Sequence, residues 1–148
     1  MITLLLADDD PDDRLLVEDA LEEGKTSFDL RCVEDGEELV NYLHRRGPYA
    51  DPDESPRPGL ILLDLKMPRK SGHQALREIK GDPGLRRIPV VVLTTSKAED
   101  DVARAYDSGA NSFVVKPTDF GTVVEVMKTM ERYWDGTVTL PPERSEGT

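Results

Sequence analysis

The sequence predicts an α/β fold: a five-stranded parallel sheet, doubly wound, with helices on both faces. Two observations carry the prediction. Short, almost uninterrupted apolar runs alternate with stretches of helical periodicity, the pattern of a sheet covered on both sides. The residues that close four of these runs are also chemically distinctive: Asp8 and Asp9 after 2–7, Asp64 after 60–63, Thr94 after 89–93 and Lys116 after 112–115. Parallel strands align their carboxyl ends, so these side chains would meet along one edge of the sheet, where ligands of such folds bind.

The first run, 2–7, reads as a buried strand. Pro11 opens a helix to about Glu23, with Leu15, Leu16, Ala20 and Leu21 on its inner face and Gly24 ending it. Residues 28–33 form a second strand, and 37–45 a helix with Leu39, Val40 and Leu43 inward. Four prolines then mark 47–58 as an extended, exposed loop. Strands at 60–63, 89–93 and 112–115 alternate with helices at 73–80, 100–108 and 119–134. One domain over 1–134 followed by a loose C-terminal tail, 135–148, is expected. The tail carries Gly136, Pro141 and Pro142 and little to bury.

A chain of 148 residues can bury a sizeable core. With 33% charged against 37% apolar residues, its surface must be strongly polar, and the net charge of −11 argues against nucleic acid or an anionic membrane as partner. The lone Cys32 cannot form an intramolecular disulfide, which suits a reducing compartment, and reads as a small core or near-core residue. There is no signal-peptide pattern and no apolar stretch of about 18 residues, so a cytoplasmic protein with no membrane span is expected.

Carboxylates about 4 Å apart repel by roughly 4 kcal/mol at an effective dielectric of about 20, so gathering them at one edge calls for a cation. Asp8, Asp9 and Asp64 offer hard oxygen ligands suited to Mg2+, with the main-chain carbonyl of Lys66 as a further oxygen. Asp64, at the mouth of a buried strand, is placed to act as a nucleophile toward a phosphoryl group. Thr94 would donate a hydroxyl hydrogen bond to that group, and Lys116 an ammonium from the opposite flank. Lys116-Pro117 also invites a cis peptide. Singly, each signal is weak: a strand-end Asp is more often a turn or cap, as Asp10 before Pro11 is expected to be. Their joint order is what points to a site.

The same residues give the chain a resemblance to the receiver domains of two-component response regulators, over essentially 1–134. The motifs are Leu-Leu-Leu-Ala-Asp-Asp-Asp-Pro (4–11), Leu-Ile-Leu-Leu-Asp-Leu-Lys-Met-Pro (60–68), Gly72, Val-Val-Val-Leu-Thr-Thr-Ser (90–96), Gly109-Ala110 and Phe-Val-Val-Lys-Pro (113–117). The resemblance implies a flavodoxin-like, receiver-type fold. It makes Asp64 the phosphoacceptor, Asp8 and Asp9 the metal pocket, Thr94 the switch hydroxyl, Lys116 the phosphate-contacting lysine and Phe113 the switch aromatic. Phe113 stands where receivers often carry Tyr; without the hydroxyl it can swing inward without burying a polar group but cannot hydrogen-bond in an outward pose. A phosphoacceptor is not an enzyme beyond self-catalysed phosphotransfer and autodephosphorylation. A narrower resemblance links the Pro-containing loop, 87–96 and Tyr-Trp-Asp-Gly-Thr-Val-Thr-Leu-Pro (133–141) to stand-alone regulators paired with bacterial phytochrome histidine kinases.

A histidine kinase is therefore the implied partner. With no further domain expected after Trp134, the output would be a change in what the domain touches. Phe120, Val123, Val124 and Met127 share one face of the last helix, and Val126, Met130 and Tyr133 widen it to about 180°, more than a core-facing stripe needs. A homodimer through the fourth helix, fifth strand and last helix is expected. Among rivals, a phosphohydrolase using an aspartyl-phosphate typically needs an Asp two residues after the nucleophile, where this chain has Lys66. No G-x-x-x-x-G-K loop supports nucleotide binding, and a flavin site would not explain the acidic cluster. The remaining alternative is a receiver-like docking module that takes no phosphoryl group.

Overall fold

The computed structural model describes residues 1–142. In chain order it contains β1 (Thr3–Ala7), α1 (Pro11–Glu23), β2 (Asp29–Val33), α2 (Gly36–Leu43), a 3-10 turn (Gly47–Tyr49), β3 (Leu60–Leu63), α3 (Gly72–Gly81), β4 (Val90–Thr94), α4 (Glu99–Asp107), β5 (Ser112–Val115) and α5 (Phe120–Trp134). The strands form one sheet in the order β2-β1-β3-β4-β5, every pair parallel. The order reverses between β1 and β3, and this is where Asp8, Asp9 and Asp64 leave the sheet.

Side chains alternate across the sheet with the strand period of two. Leu5, Ala7, Ile61, Leu63, Val90 and Val92 pack with α2, α3 and α4, while Leu4, Leu6, Leu60, Leu62, Val91 and Leu93 pack with α1 and α5. Both faces are covered, so the three central strands are apolar apart from Thr3 and Thr94 at their ends. Each fully buried leucine contributes about 1.5–3 kcal/mol. The helix starts are set locally. Asp10, Asp35 and Asp119 accept hydrogen bonds from Asp12, Glu38 and Thr122 amides as N-caps, and Ser71 with Gln74 forms a reciprocal capping box on α3.

Several expectations are corrected. In α1 the inward residues are Val17, Ala20 and Leu21, spaced i, i+3, i+4, whereas Leu15 is 55% and Leu16 37% exposed. Cys32 is exposed rather than near-core, because β2 is an edge strand. Phe120 is also exposed, one residue past the α5 cap, and Val123, Met127 and Met130 do the burying. The 47–58 segment is exposed over most of 47–54, as expected, but it is tethered. Tyr49 packs on Tyr42 and donates to Glu38, Tyr42 donates to the Pro56 carbonyl, and Arg31 of β2 donates to the Glu54 carbonyl. The loop thus covers α2 and the β2 edge. Within the expected tail, Val138 N–H donates to the Tyr133 carbonyl, and Leu140 packs against the α1/α5 core. The rest of that expected tail, 143–148, lies outside the described residues.

Candidate functional site

The site is built where β1, β3, β4 and β5 end. Asp8, Asp64 and Thr94 are buried, at 1%, 7% and 0% exposure, while Asp9 stands in solvent beside them. Oxygens of Asp8, Asp9 and Asp64 all lie within 4.8 Å of one another. Two buried carboxylates and one exposed one, opening to water, fit a hard divalent cation that keeps part of its hydration shell. The peptide frame holds them firmly. Asp8 Oδ1 accepts from Asp10 N–H at 3.0 Å, and the Asp8 carbonyl accepts from the Arg14 guanidinium at 2.8 Å.

Asp64 is the centre of the cluster. Its Oδ1 accepts from Thr94 Oγ1 at 3.0 Å and from Lys66 N–H at 3.3 Å, and its Oδ2 accepts from Lys116 Nζ at 3.1 Å. Gly72 lets α3 begin against this strand end. A Cβ there would sit 2.3 Å from the Asp64 carbonyl oxygen and 2.6 Å from Leu65 Cα, closer than any side chain tolerates. Gly36 plays the same part on the neighbouring turn, where a Cβ would meet the Lys70 carbonyl oxygen at 2.1 Å.

Lys116 leaves β5, three places from β1 in the sheet, and leans back over the intervening strand ends. Its ammonium donates to Asp8 Oδ2 at 2.8 Å, Asp13 Oδ2 at 2.8 Å and Asp64 Oδ2 at 3.1 Å. Burial works against its charge, but the hydrogen bonds to Asp13 and Asp8 and the charges of Asp64 and Asp8 outweigh it, so its pKa lies above the ordinary lysine value. Burial pushes the Asp8 carboxyl up, more than the Lys116 and Asp10 hydrogen bonds pull it down. The Lys116–Pro117 bond is not cis, nor is any peptide bond among the described residues. Lys116 N–H donates to the Thr94 carbonyl, continuing the strand ladder, and three carboxylates direct the ammonium instead.

Phe113 sits half-buried in β5, opposite Val92 in register, and packs toward the α2/α3/α4 core. Thus Asp8, Asp9, Asp64, Thr94 and Lys116 converge, with Phe113 one layer behind. Lys66 reaches Asp64 through its amide.

Sequence reasoning missed two groups. Asp13 is one; the Asp10 cap followed by helical spacing could have placed it one turn into α1, facing the site. The other is a relay between helices. Buried His73 on α3 meets Asp101 Oδ1 on α4 through Nε2 at 3.1 Å, and Asp101 Oδ2 accepts from Ser96 Oγ at 2.6 Å. The Ser96 and His73 contacts hold the Asp101 carboxyl below the usual aspartate range. No sequence spacing announces that pairing.

A doubly wound sheet with a carboxylate cluster, a buried hydroxyl and an ammonium at its switch point defines a cation-dependent, anion-handling site on an α/β domain. Residues 4–128 match the family model described as the response regulator receiver domain, and the chain belongs to that family. Response regulator Rcp1 of Synechocystis sp. is 41% identical over 138 residues, covering 93% of this chain and 92% of Rcp1. The Mn2+-bound crystal form of Rcp1 superposes with a TM-score of 0.84, at 39% identity over 96% of this chain and 100% of that one. The phosphorylated cyanobacterial phytochrome response regulator RcpA gives 0.87, at 40% identity over 95% and 99%. RPA3017, from red light signalling of R. palustris, gives 0.91, at 34% identity over 96% and 99%. The chain is similar to each of these over nearly its whole described length.

Proposed function

We propose that this protein accepts a phosphoryl group from a histidine kinase onto Asp64 in a Mg2+-dependent reaction and relays the change to a binding face. The observation that carries the reading is the triple engagement of Asp64: hydroxyl on one oxygen, ammonium on the other, and two further carboxylates within cation-sharing distance. A docking module without phosphoryl chemistry would need none of these contacts.

In the transfer, an Asp64 carboxylate oxygen attacks phosphorus, the bond from phosphorus to the donor imidazole nitrogen breaks, and the imidazole leaves with the electron pair and takes up a proton. A cation bound by Asp8, Asp9 and Asp64, with the Lys66 carbonyl as a further ligand, supplies charge neutralisation between the two anions. Lys116 already touches Asp64 and can pass one N–H to a phosphoryl oxygen. Thr94 can swing its hydroxyl to another, a charge-assisted bond of about 1.5–3 kcal/mol. Moving Thr94 draws on the β4–α4 segment, and Phe113 then packs into the space released, which biases the adjoining face between two arrangements. The protein's own catalysis is confined to this self-phosphotransfer and the hydrolysis of the product.

The relatives named for phytochromes and red light signalling support a bacterial phytochrome as the kinase. For a homodimer through α4, β5 and α5, the β5 and α5 part is supported by an apolar groove of about 370 Å³ that includes Val114, Val126, Met130 and half-exposed Tyr133. The net charge of −11 supports a cytoplasmic regulator that binds neither nucleic acid nor an anionic membrane; no described helix is long and apolar enough to cross a membrane. Incubation with a small-molecule phosphodonor and Mg2+, read by intact mass, tests the reading. The wild type is expected to gain one phosphoryl group and Asp64→Asn none while remaining folded; phosphorylated Asp64→Asn would refute it.

A further inference from the structure

Lys116 has three N–H bonds to give, and three carboxylates take them: Asp8, Asp13 and Asp64. Two of those belong to the cluster that fits a divalent cation; Asp13 does not. A cation in that cluster draws on the oxygens of Asp8 and Asp64 and repels the ammonium. Whatever keeps Lys116 beside the phosphoacceptor under those conditions has to lie outside the cluster. Asp13 does, and its position is rigid: it stands in the first turn of α1, which Asp10 caps and Arg14 ties to the Asp8 carbonyl.

We infer that Asp13 is a positioning residue that holds Lys116 at Asp64 while the cation site is filled, so that the ammonium stays aimed at the phosphoryl group. This rests on the phosphoacceptor reading above and assigns a role to a residue outside the expected set. Without Asp13, Lys116 would fall back on Asp8 and Asp64 alone and oppose the cation there. A bland reading competes: Asp12 and Asp13 both lie in the first turn of α1 and would serve equally as acidic residues at a helix N-terminus. Asp12 makes no contact with Lys116, so the two readings separate.

Isothermal titration of the full chain with Mg2+, then with beryllofluoride at saturating Mg2+ as the phosphoryl mimic, tests the inference. Asp13→Asn is expected to weaken beryllofluoride binding roughly fivefold, the scale of a partly exposed ion pair. Asp12→Asn should leave it unchanged, and in a Lys116→Ala background Asp13→Asn should cost nothing more. Equal losses in Asp12→Asn and Asp13→Asn, or a loss that persists without Lys116, would overturn the inference but leave the phosphoacceptor reading standing. A wild type that binds no beryllofluoride would overturn both. Asp13→Ser gives the same comparison should Asp13→Asn not fold.

Discussion

Helices α3 and α4 leave adjacent strand ends on the same face of the sheet, yet they are held very differently. Helix α3 starts with a capping box and buries Gly72, His73, Ala75, Leu76 and Ile79. Helix α4 has no side-chain cap, begins with Glu99, Asp100 and Asp101, and buries only Ala105. The strand before α3 carries Asp64; the strand before α4 carries Thr94. Asp64 is thus set on the fixed flank and Thr94, which donates to it, on the loose one. Local stability varies across a fold, and elements that move are drawn from its weak end. Under the proposed function, α4, with Phe113 beside it, would be the part that shifts.

The largest test of this contrast is a matched pair of truncations. Leu76→Ala in α3 should destabilise by about 2–5 kcal/mol in urea unfolding, as a fully buried leucine does. Val102→Ala in α4, at a half-buried site, should cost about 1 kcal/mol or less. Similar losses at the two positions would erase the contrast.

A smaller effect sharpens it. The His73–Asp101 bond is a side-chain tie between the two helices, and Asp101 is also held by Ser96. Asp101→Ala should lower global stability by at most about 1 kcal/mol, since the pair is partly exposed. Amide exchange within 99–107 should nevertheless speed up while 72–81 is unaffected. Faster exchange in both helices would mean that α3 leans on the tie as well.

The smallest effect concerns the acidic pocket from which both flanks diverge. Burial holds the Asp8 carboxyl above its ordinary range. The folded state therefore binds this proton more readily than the unfolded chain, so the group favours folding at acid pH and costs stability as pH rises through its titration. In chelator at neutral pH, Asp8→Asn should raise the melting temperature by a few degrees, and the gain should shrink as pH falls into the carboxyl range. A gain independent of pH would detach it from Asp8 ionisation.

The strands were legible because burial on both faces leaves an unbroken apolar signature, as in 60–63 and 90–93. The site was legible for a related reason: strand ends are fixed points, so Asp8, Asp64, Thr94 and Lys116 had to share an edge. What escaped depends on distances that spacing does not encode. Leu15 and Leu16 fit a helical stripe as well as Val17 does, and only the approach of α5 selects among them. Cys32 sits in an apolar stretch, but an edge strand leaves it uncovered. Asp13, and the tie from His73 to Asp101, pair residues whose meeting is decided by how helices settle on the sheet.

Hydrogen exchange with and without the phosphoryl group on Asp64 bears most directly on the account. On phosphorylation, amides of 99–107 should change protection while those of 72–81 hold, and Asp64→Asn treated identically should show neither change. An α4 that stays unaltered with Asp64 phosphorylated, or an α3 that changes as much, would contradict it.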